Sequence, residues 1–152
     1  MIKLTRKMLY ALEAVVDIAY NSGAEPAQAR DITHRQGIPQ RYLEQVMQKL
    51  VRAGVLKGVR GPRGGYRLAR DRRKITVGEI VRVVYGTDRT SRDLTSMDPG
   101  SDLAARVIRP LWIEVRQNFM REMDEITIED LCRRADAKGV EARPPERVQF
   151  DI

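Results

Sequence analysis

Residues 60–66 read Arg60–Gly61–Pro62–Arg63–Gly64–Gly65–Tyr66, a tight, cationic turn set between two short apolar-alternating segments, Val55–Val59 and Tyr66–Ala69. Few folds accommodate such a run. Gly64 and Gly65 can take the positive φ values that a hairpin needs, and Pro62 pre-sets a turn φ. The arginines then sit on a thin, exposed β-loop with little side-chain bulk to hold them away from a groove. Just upstream, Pro39–Gln40–Arg41–Tyr42–Leu43–Glu44–Gln45–Val46–Met47–Gln48–Lys49–Leu50 has the pattern of a short amphipathic helix. Helix, strand, basic hairpin and strand, in that order, predict a winged helix-turn-helix. Such an arrangement points to DNA.

The charge distribution agrees. Of 152 residues carrying a net charge of +7, residues 1–86 hold 17 Lys/Arg against 7 Asp/Glu, and residues 87–152 hold 11 against 14. A basic excess confined to the half with the helix-turn-helix pattern is the electrostatic footprint of a polyanion partner. The chain has one cysteine, which leaves no intramolecular disulfide framework and makes a reducing cytoplasm the expected location. Met1–Ile2–Lys3–Leu4–Thr5–Arg6 leads straight into a helical pattern containing Glu13 and Asp17, unlike a signal peptide, and no run approaches a membrane span. A soluble cytoplasmic protein, with no membrane partner, is expected.

The pattern predicts a first helix over Thr5–Asn21, capped by Thr5, with Leu9, Leu12, Val15, Val16, Ile18 and Ala19 as its apolar stripe. A second, short helix over Ala27–Gln36 closes at Gly37. Pro39 fits the first turn of the third, which runs to about Arg52 and stops at Gly54. Thr76 and Glu79, at capping-box spacing, open a helix to Tyr85 that Gly86 stops. Leu94–Gly100 reads as loop within a polar linker. From Leu103, apolar residues recur at Val107, Leu111, Val115, Phe119 and Met123, widened by Ile108 and Trp112: one long helix with Pro110 as an obstacle. Either it kinks there or it starts at Pro110 after a separate turn, and we expect the second. Thr127 and Asp130 cap a short helix, Ile128–Ala135, and Lys138–Ile152 is expected to be mobile. The domains implied are a DNA-binding unit over 1–86, a linker over 87–102, a dimerisation helix with the capped helix over 103–136, and a tail over 137–152. The fold class is mainly α with a small β-hairpin wing.

In the third helix, Gln40, Arg41, Tyr42, Gln45 and Lys49 lie near or on the face opposite Leu43, Val46 and Leu50. Helix-turn-helix docking brings the N-terminal end of this helix to the base edges. Arg41 is suited to guanine, Gln45 to adenine, and Glu44 either to a cytosine amino group or to repelling wrong sequences, while Tyr42 can offer its hydroxyl to phosphate. Arg60 and Arg63 would enter the adjoining minor groove or grip phosphates, and Thr5, Arg6 and Lys7 would add backbone contacts at a helix N-terminus. Trp112 belongs to the long-helix stripe, with core or subunit-interface packing as its role. His34 reads as solvated, and Cys132 as partly buried filler. No nucleophile–base pair, metal-spaced cluster or phosphate loop appears, so no catalytic residue, metal site or cofactor is expected and the chain is not read as an enzyme.

Leu4–Thr5–Arg6–Lys7 with Tyr10–Ala11–Leu12, Tyr42–Leu43–Glu44–Gln45, and Val59–Arg60–Gly61–Pro62 with Gly64–Gly65–Tyr66 resemble the Rrf-two family of bacterial winged-helix regulators. The likeness continues through Ile75–Thr76–Val77–Gly78–Glu79–Ile80, Leu111–Trp112 and Ile126–Thr127–Ile128–Glu129–Asp130–Leu131, nearly the whole chain. It implies a homodimer joined through the long helix (Leu111, Trp112, Val115, Phe119 and Met123) on a pseudo-palindromic operator. One departure matters. Cluster-binding members place three cysteines before the long helix, and Gly86–Arg109 contains none. The chain resembles the cluster-free, CymR-like branch instead.

A dimeric repressor of sulfur or cysteine metabolism genes is therefore expected. The alternatives are a cluster-free regulator of the same family answering redox or iron state, and a winged-helix protein-interaction module with no operator. The ending Val148–Gln149–Phe150–Asp151–Ile152 looks like tails that cysteine synthase accepts in its active site. By that likeness Ile152 would present its carboxylate to the amino-acid anion site, with Phe150 packing nearby.

Overall fold

The computed structural model describes residues 5–21, 23, 25–86 and 97–143. Thr5 starts helix α1 (Arg6–Asn21), its hydroxyl accepting from the Met8 amide at 3.3 Å. The buried stripe of α1 is Met8, Ala11, Ala14, Val15 and Ile18, rotated from the expected one: Leu9 is exposed, and Leu12 and Val16 are half-buried. Ala11 and Ala14 explain the rotation, since small residues let neighbouring backbones approach where other helices crowd around α1. Helix α2 (Ala29–Gln36) ends at Gly37, whose φ of 64° turns the chain. It begins two residues later than the pattern implied. Ala27 is taken instead by Tyr66: each amide donates to the other's carbonyl, at 2.9 and 2.8 Å.

Ile38, almost fully buried, and Pro39 complete the turn into α3 (Gln40–Arg52), which buries Leu43, Val46, Met47 and Leu50. Each such side chain contributes roughly 1.5–3 kcal/mol when removed from water. Gly54 and Val55 close α3 in a Schellman motif, donating to the Val51 and Leu50 carbonyls at 3.1 and 3.0 Å. Strands β1 (Leu56–Val59) and β2 (Gly65–Leu68) then pair antiparallel, Leu56 against Leu68 and Val59 against Gly65. The turn between them corrects the sequence reading. Gly61, not Gly64 or Gly65, takes the positive φ, at 112°, and its carbonyl accepts from the Gly64 amide at 2.9 Å. Gly64 is small for another reason: a Cβ there would meet the Val59 carbonyl oxygen at 2.2 Å.

Helix α4 (Val77–Tyr85) is capped by the Thr76 hydroxyl, which accepts from the Glu79 amide at 3.1 Å. Only this half of the expected box forms, because the Glu79 carboxylate pairs with Arg70. Beyond residues 87–96, which lie outside the described residues, a π-helical turn (Ala104–Ile108) runs directly into α5 (Arg109–Glu125). The expected break at Pro110 is absent. Arg109 has helical φ and ψ of −64° and −47° and donates to the Ala104 carbonyl five residues back, so the widened turn absorbs a proline that has no N–H to give. A complete capping box between Thr127 and Asp130 (3.1 and 2.9 Å) starts α6 (Ile128–Ala137), which runs two residues past its expected end. Ile128 and Cys132 enter the same core as α1–α4. The chain then turns back along α1, where the Tyr20 hydroxyl donates to the Val140 carbonyl and the Arg143 amide donates to Asn21 Oδ1 at 2.7 Å.

Candidate nucleic-acid interface

With Leu43, Val46 and Leu50 turned inward, the opposite face of α3 is left to solvent. Gln40, Arg41, Tyr42, Glu44 and Gln45 are exposed there, and Lys49 is half-buried. Gln40 Nε2 donates to Glu44 Oε1 at 3.2 Å, so these two residues one turn apart order each other. The Tyr42 ring leans on Tyr10 of α1, with centroids 6.2 Å apart and planes tilted by 38°. Tyr10 lies one turn beyond Arg6 and Lys7, both exposed. The ring pair therefore sets the basic first turn of α1 beside the first turn of α3. Thr5 spends its hydroxyl on the cap. Arg60 and Arg63 are exposed at the hairpin tip, and the Ala27–Tyr66 bridge ties that hairpin to the segment entering α2.

The sequence reading missed what supports this face from behind. Asp17, fully buried in α1, accepts from Arg35 Nε at 2.9 Å and Nη2 at 2.7 Å, from Gln36 Nε2 at 2.7 Å and from Asn21 Nδ2 at 3.2 Å. The carboxylate hydrogen bond holds the Arg35 guanidinium pKa above its ordinary value, against the opposing effect of burial. This pair joins α1 to the first helix of the helix-turn-helix. An acidic residue inside an apolar stripe, with an arginine in the following helix, was the available signal.

The expected dimer residues divide into two sets. Leu111, Trp112 and Val115 are 43–53% exposed and, with Leu103 just before the π turn and Val107 and Ile108 on it, form a bare apolar face that runs into α5. Phe119 is half-buried, and Met123 packs against the core of its own chain. His34 is exposed. Cys132 is buried, and that burial pushes its thiol pKa up. Among the described residues no three His, Cys, Asp or Glu side chains come together as metal ligands, and no described helix is long and apolar enough to cross a membrane. Phe150 and Ile152 lie outside the described residues.

An exposed polar helix face on a helix-turn-helix packed against the core, flanked by an arginine-tipped hairpin, defines a winged-helix DNA-binding protein. Residues 4–134 match the family Rrf2, described as Iron-dependent Transcriptional regulator. The HTH-type transcriptional regulator IscR of Escherichia coli is 34% identical over 99% of this chain and 96% of its own. Among solved structures, T. potens IscR superposes with a TM-score of 0.72 at 32% identity, covering 92% of this chain and 93% of that one. CymR, the global cysteine regulator of B. subtilis, gives 0.70 at 31% identity, covering 88% and 98%. The chain belongs to the Rrf2 family: it is a DNA-binding transcriptional regulator, and its relatives are regulators rather than enzymes.

Proposed function

We propose that the protein is a cytoplasmic homodimer that represses transcription from a pseudo-palindromic operator, reading bases with Gln40, Arg41, Glu44 and Gln45 and holding phosphates with Arg6, Lys7, Tyr42, Lys49, Arg60 and Arg63. The observation that carries this reading is the solvent-facing side of α3, held in place by Leu43, Val46 and Leu50 and bordered by the basic wing. The bare face of Leu103, Val107, Ile108, Leu111, Trp112 and Val115 supports α5 as the dimer helix, a second copy covering it.

The family description implies iron, and the residues of this chain do not fit it. The only cysteine, Cys132, is buried in the core, the only histidine, His34, is exposed, and Gly86–Arg109 contains neither. Two thiolates in a dimer cannot supply the usual cluster ligation. We therefore assign the chain to the cluster-free side of the family. Its likeness to a cysteine regulator favours sulfur or cysteine metabolism genes as targets.

Fluorescence anisotropy against genomic duplex fragments tests the reading. With about six phosphate contacts, log K should fall against log salt with a slope near −5. A monomer by light scattering, or affinity indifferent to salt, overturns it. From the tail sequence alone we also propose cysteine synthase as a partner through Phe150 and Ile152, and calorimetry showing no heat of binding with the full-length chain ends that idea.

A further inference from the structure

Strand β2 of the wing meets the entry to α2 through a two-way main-chain bridge, and one glycine makes that approach possible. Ala27 and Tyr66 exchange both of their backbone hydrogen bonds, at 2.9 and 2.8 Å. A Cβ on Gly65 would lie 2.2 Å from the Ala27 carbonyl oxygen, 2.7 Å from its carbonyl carbon and 3.2 Å from the Gln28 nitrogen. All three are backbone atoms, so no rotamer change relieves the clash. Gly65 has no positive φ, and its requirement is therefore one of space alone. Gly58, opposite Tyr66 in β1, is a natural contrast, because a Cβ there meets nothing within 4 Å.

Gly65 also stands between two functional ends. It pairs with Val59, the residue before Arg60, and lies two residues after Arg63. Ala27, across the bridge, lies two residues before α2 begins. A lone two-stranded hairpin is only marginally stable in water. Here Leu56 anchors its base in the core with Tyr66 and Leu68 packed alongside, and the bridge ties β2 to the entry of α2.

We propose that Gly65 is a positioning residue for DNA binding. Having no side chain, it lets the wing dock onto the entry to α2, which fixes the direction of the tip arginines relative to α3 before DNA arrives. The proposal rests on the DNA-binding reading above, and specifically on Arg60 and Arg63 touching DNA. Pre-organisation of this kind lowers the ordering cost of binding.

The test uses the full-length protein and a duplex that the native protein has selected from genomic DNA, with affinity measured over a series of KCl concentrations. Gly65→Ala should lose about ten- to a hundredfold in affinity, the worth of one good arginine–DNA interaction. Its salt slope should fall by roughly 0.9 for each phosphate that the wing no longer holds, and the base preferences set by α3 should remain. Gly58→Ala should bind as the native protein does. The deciding measurement is a double-mutant cycle: Arg63→Ala should cost affinity in the native background and nothing further in Gly65→Ala. Additive losses, or an unchanged salt slope in Gly65→Ala, overturn the proposal. Should Gly65→Ala fail to fold by circular dichroism, Ala27→Pro takes its place in the cycle, since it removes one bridging N–H without adding a Cβ to the wing. If neither Arg60→Ala nor Arg63→Ala costs anything in the native background, the wing reading fails and this proposal falls with it, whereas a loss in those variants with none in Gly65→Ala overturns the proposal alone.

Discussion

Asp17→Ala removes the acceptor of four hydrogen bonds at once and strands a cation behind the helix-turn-helix. The side chain of Arg35 is 14% exposed and that of Asp17 is fully covered, so the guanidinium left behind keeps only a narrow route to water. Breaking a buried ion pair from one side costs about 3–5 kcal/mol. The residual exposure of Arg35 places the expected cost near the lower figure, about 3 kcal/mol, with the abandoned donors of Gln36 and Asn21 included. For a chain of this length that corresponds to a fall in Tm of about 6–12 °C. Urea unfolding followed by circular dichroism at neutral pH measures it. The double variant Asp17→Leu with Arg35→Met should be less destabilised than Asp17→Ala alone, because no unpaired charge remains. A cost below about 1 kcal/mol for Asp17→Ala, or a double variant losing the sum of the two single changes, would refute the argument that this carboxylate is the hub between α1 and α2.

Trp112→Glu together with Leu111→Glu should give a folded monomer by light scattering, since both side chains are exposed in the single chain and a charge on the bare face opposes self-association; a dimer would move the interface elsewhere. Gln45→Ala should relax base preference at one position of each half-site at a cost of about 1–3 kcal/mol, read from anisotropy on operator variants. Cys132, buried with its pKa raised, should resist thiol reagents at pH 8 until the protein is unfolded; fast labelling of native protein would show the thiol to be accessible. Thr127→Ala should cost about 1 kcal/mol through loss of the cap. The Thr127 amide and hydroxyl hold the Asp130 carboxyl below its ordinary pKa of 3.8, so its share of stability is complete above that pH and is lost as the pH falls through the lowered value, which acid titration of native and Thr127→Ala protein would compare.

The helices, the hairpin and the polar face of α3 were legible in the sequence because each is written locally: Thr127 and Asp130 sit three apart, Leu43, Val46 and Leu50 share a face, and Gly37 and Gly54 stop helices. What was not legible depends on partners distant in the chain. Ala27 fits a helix until Tyr66 offers it two hydrogen bonds from 39 residues away. Gly64 and Gly65 fit positive φ until the fold brings main chain against them. Pro110 signals a break only if the turn before it is α-helical, and the π turn removes that premise. Asp17 passes for a surface acid until Arg35 folds over it. The chain beyond Lys138 is polar enough to suggest mobility, yet Val140 and Arg143 are held by Tyr20 and Asn21 on α1.

Long-range bonds also tie the helix we propose for dimerisation to the rest of the chain. Helix α5 is fixed to α4 by a two-pronged pair, Arg82 Nη1 and Nη2 against Asp124 Oδ1 and Oδ2 at 2.5 and 2.6 Å, with Gly78 leaving room for Asp124 to approach. Immediately after α5 the main chain bonds back across the entry to α4: the Val77 amide donates to the Ile126 carbonyl at 2.8 Å, and the Ile128 amide to the Ile75 carbonyl at 2.9 Å. Ile128 then enters the core beside α1. The C-terminal end of the helix we assign to dimerisation is therefore tied, by these bonds and by Ile128, to the body that carries α3 and the wing. Half-site spacing on a pseudo-palindrome depends on how firmly that connection holds, because recognition helices must fall about one helical turn of DNA, or a multiple of it, apart. Arg82→Ala should then weaken operator binding more than binding to an isolated half-site, a difference that a change confined to local stability does not produce.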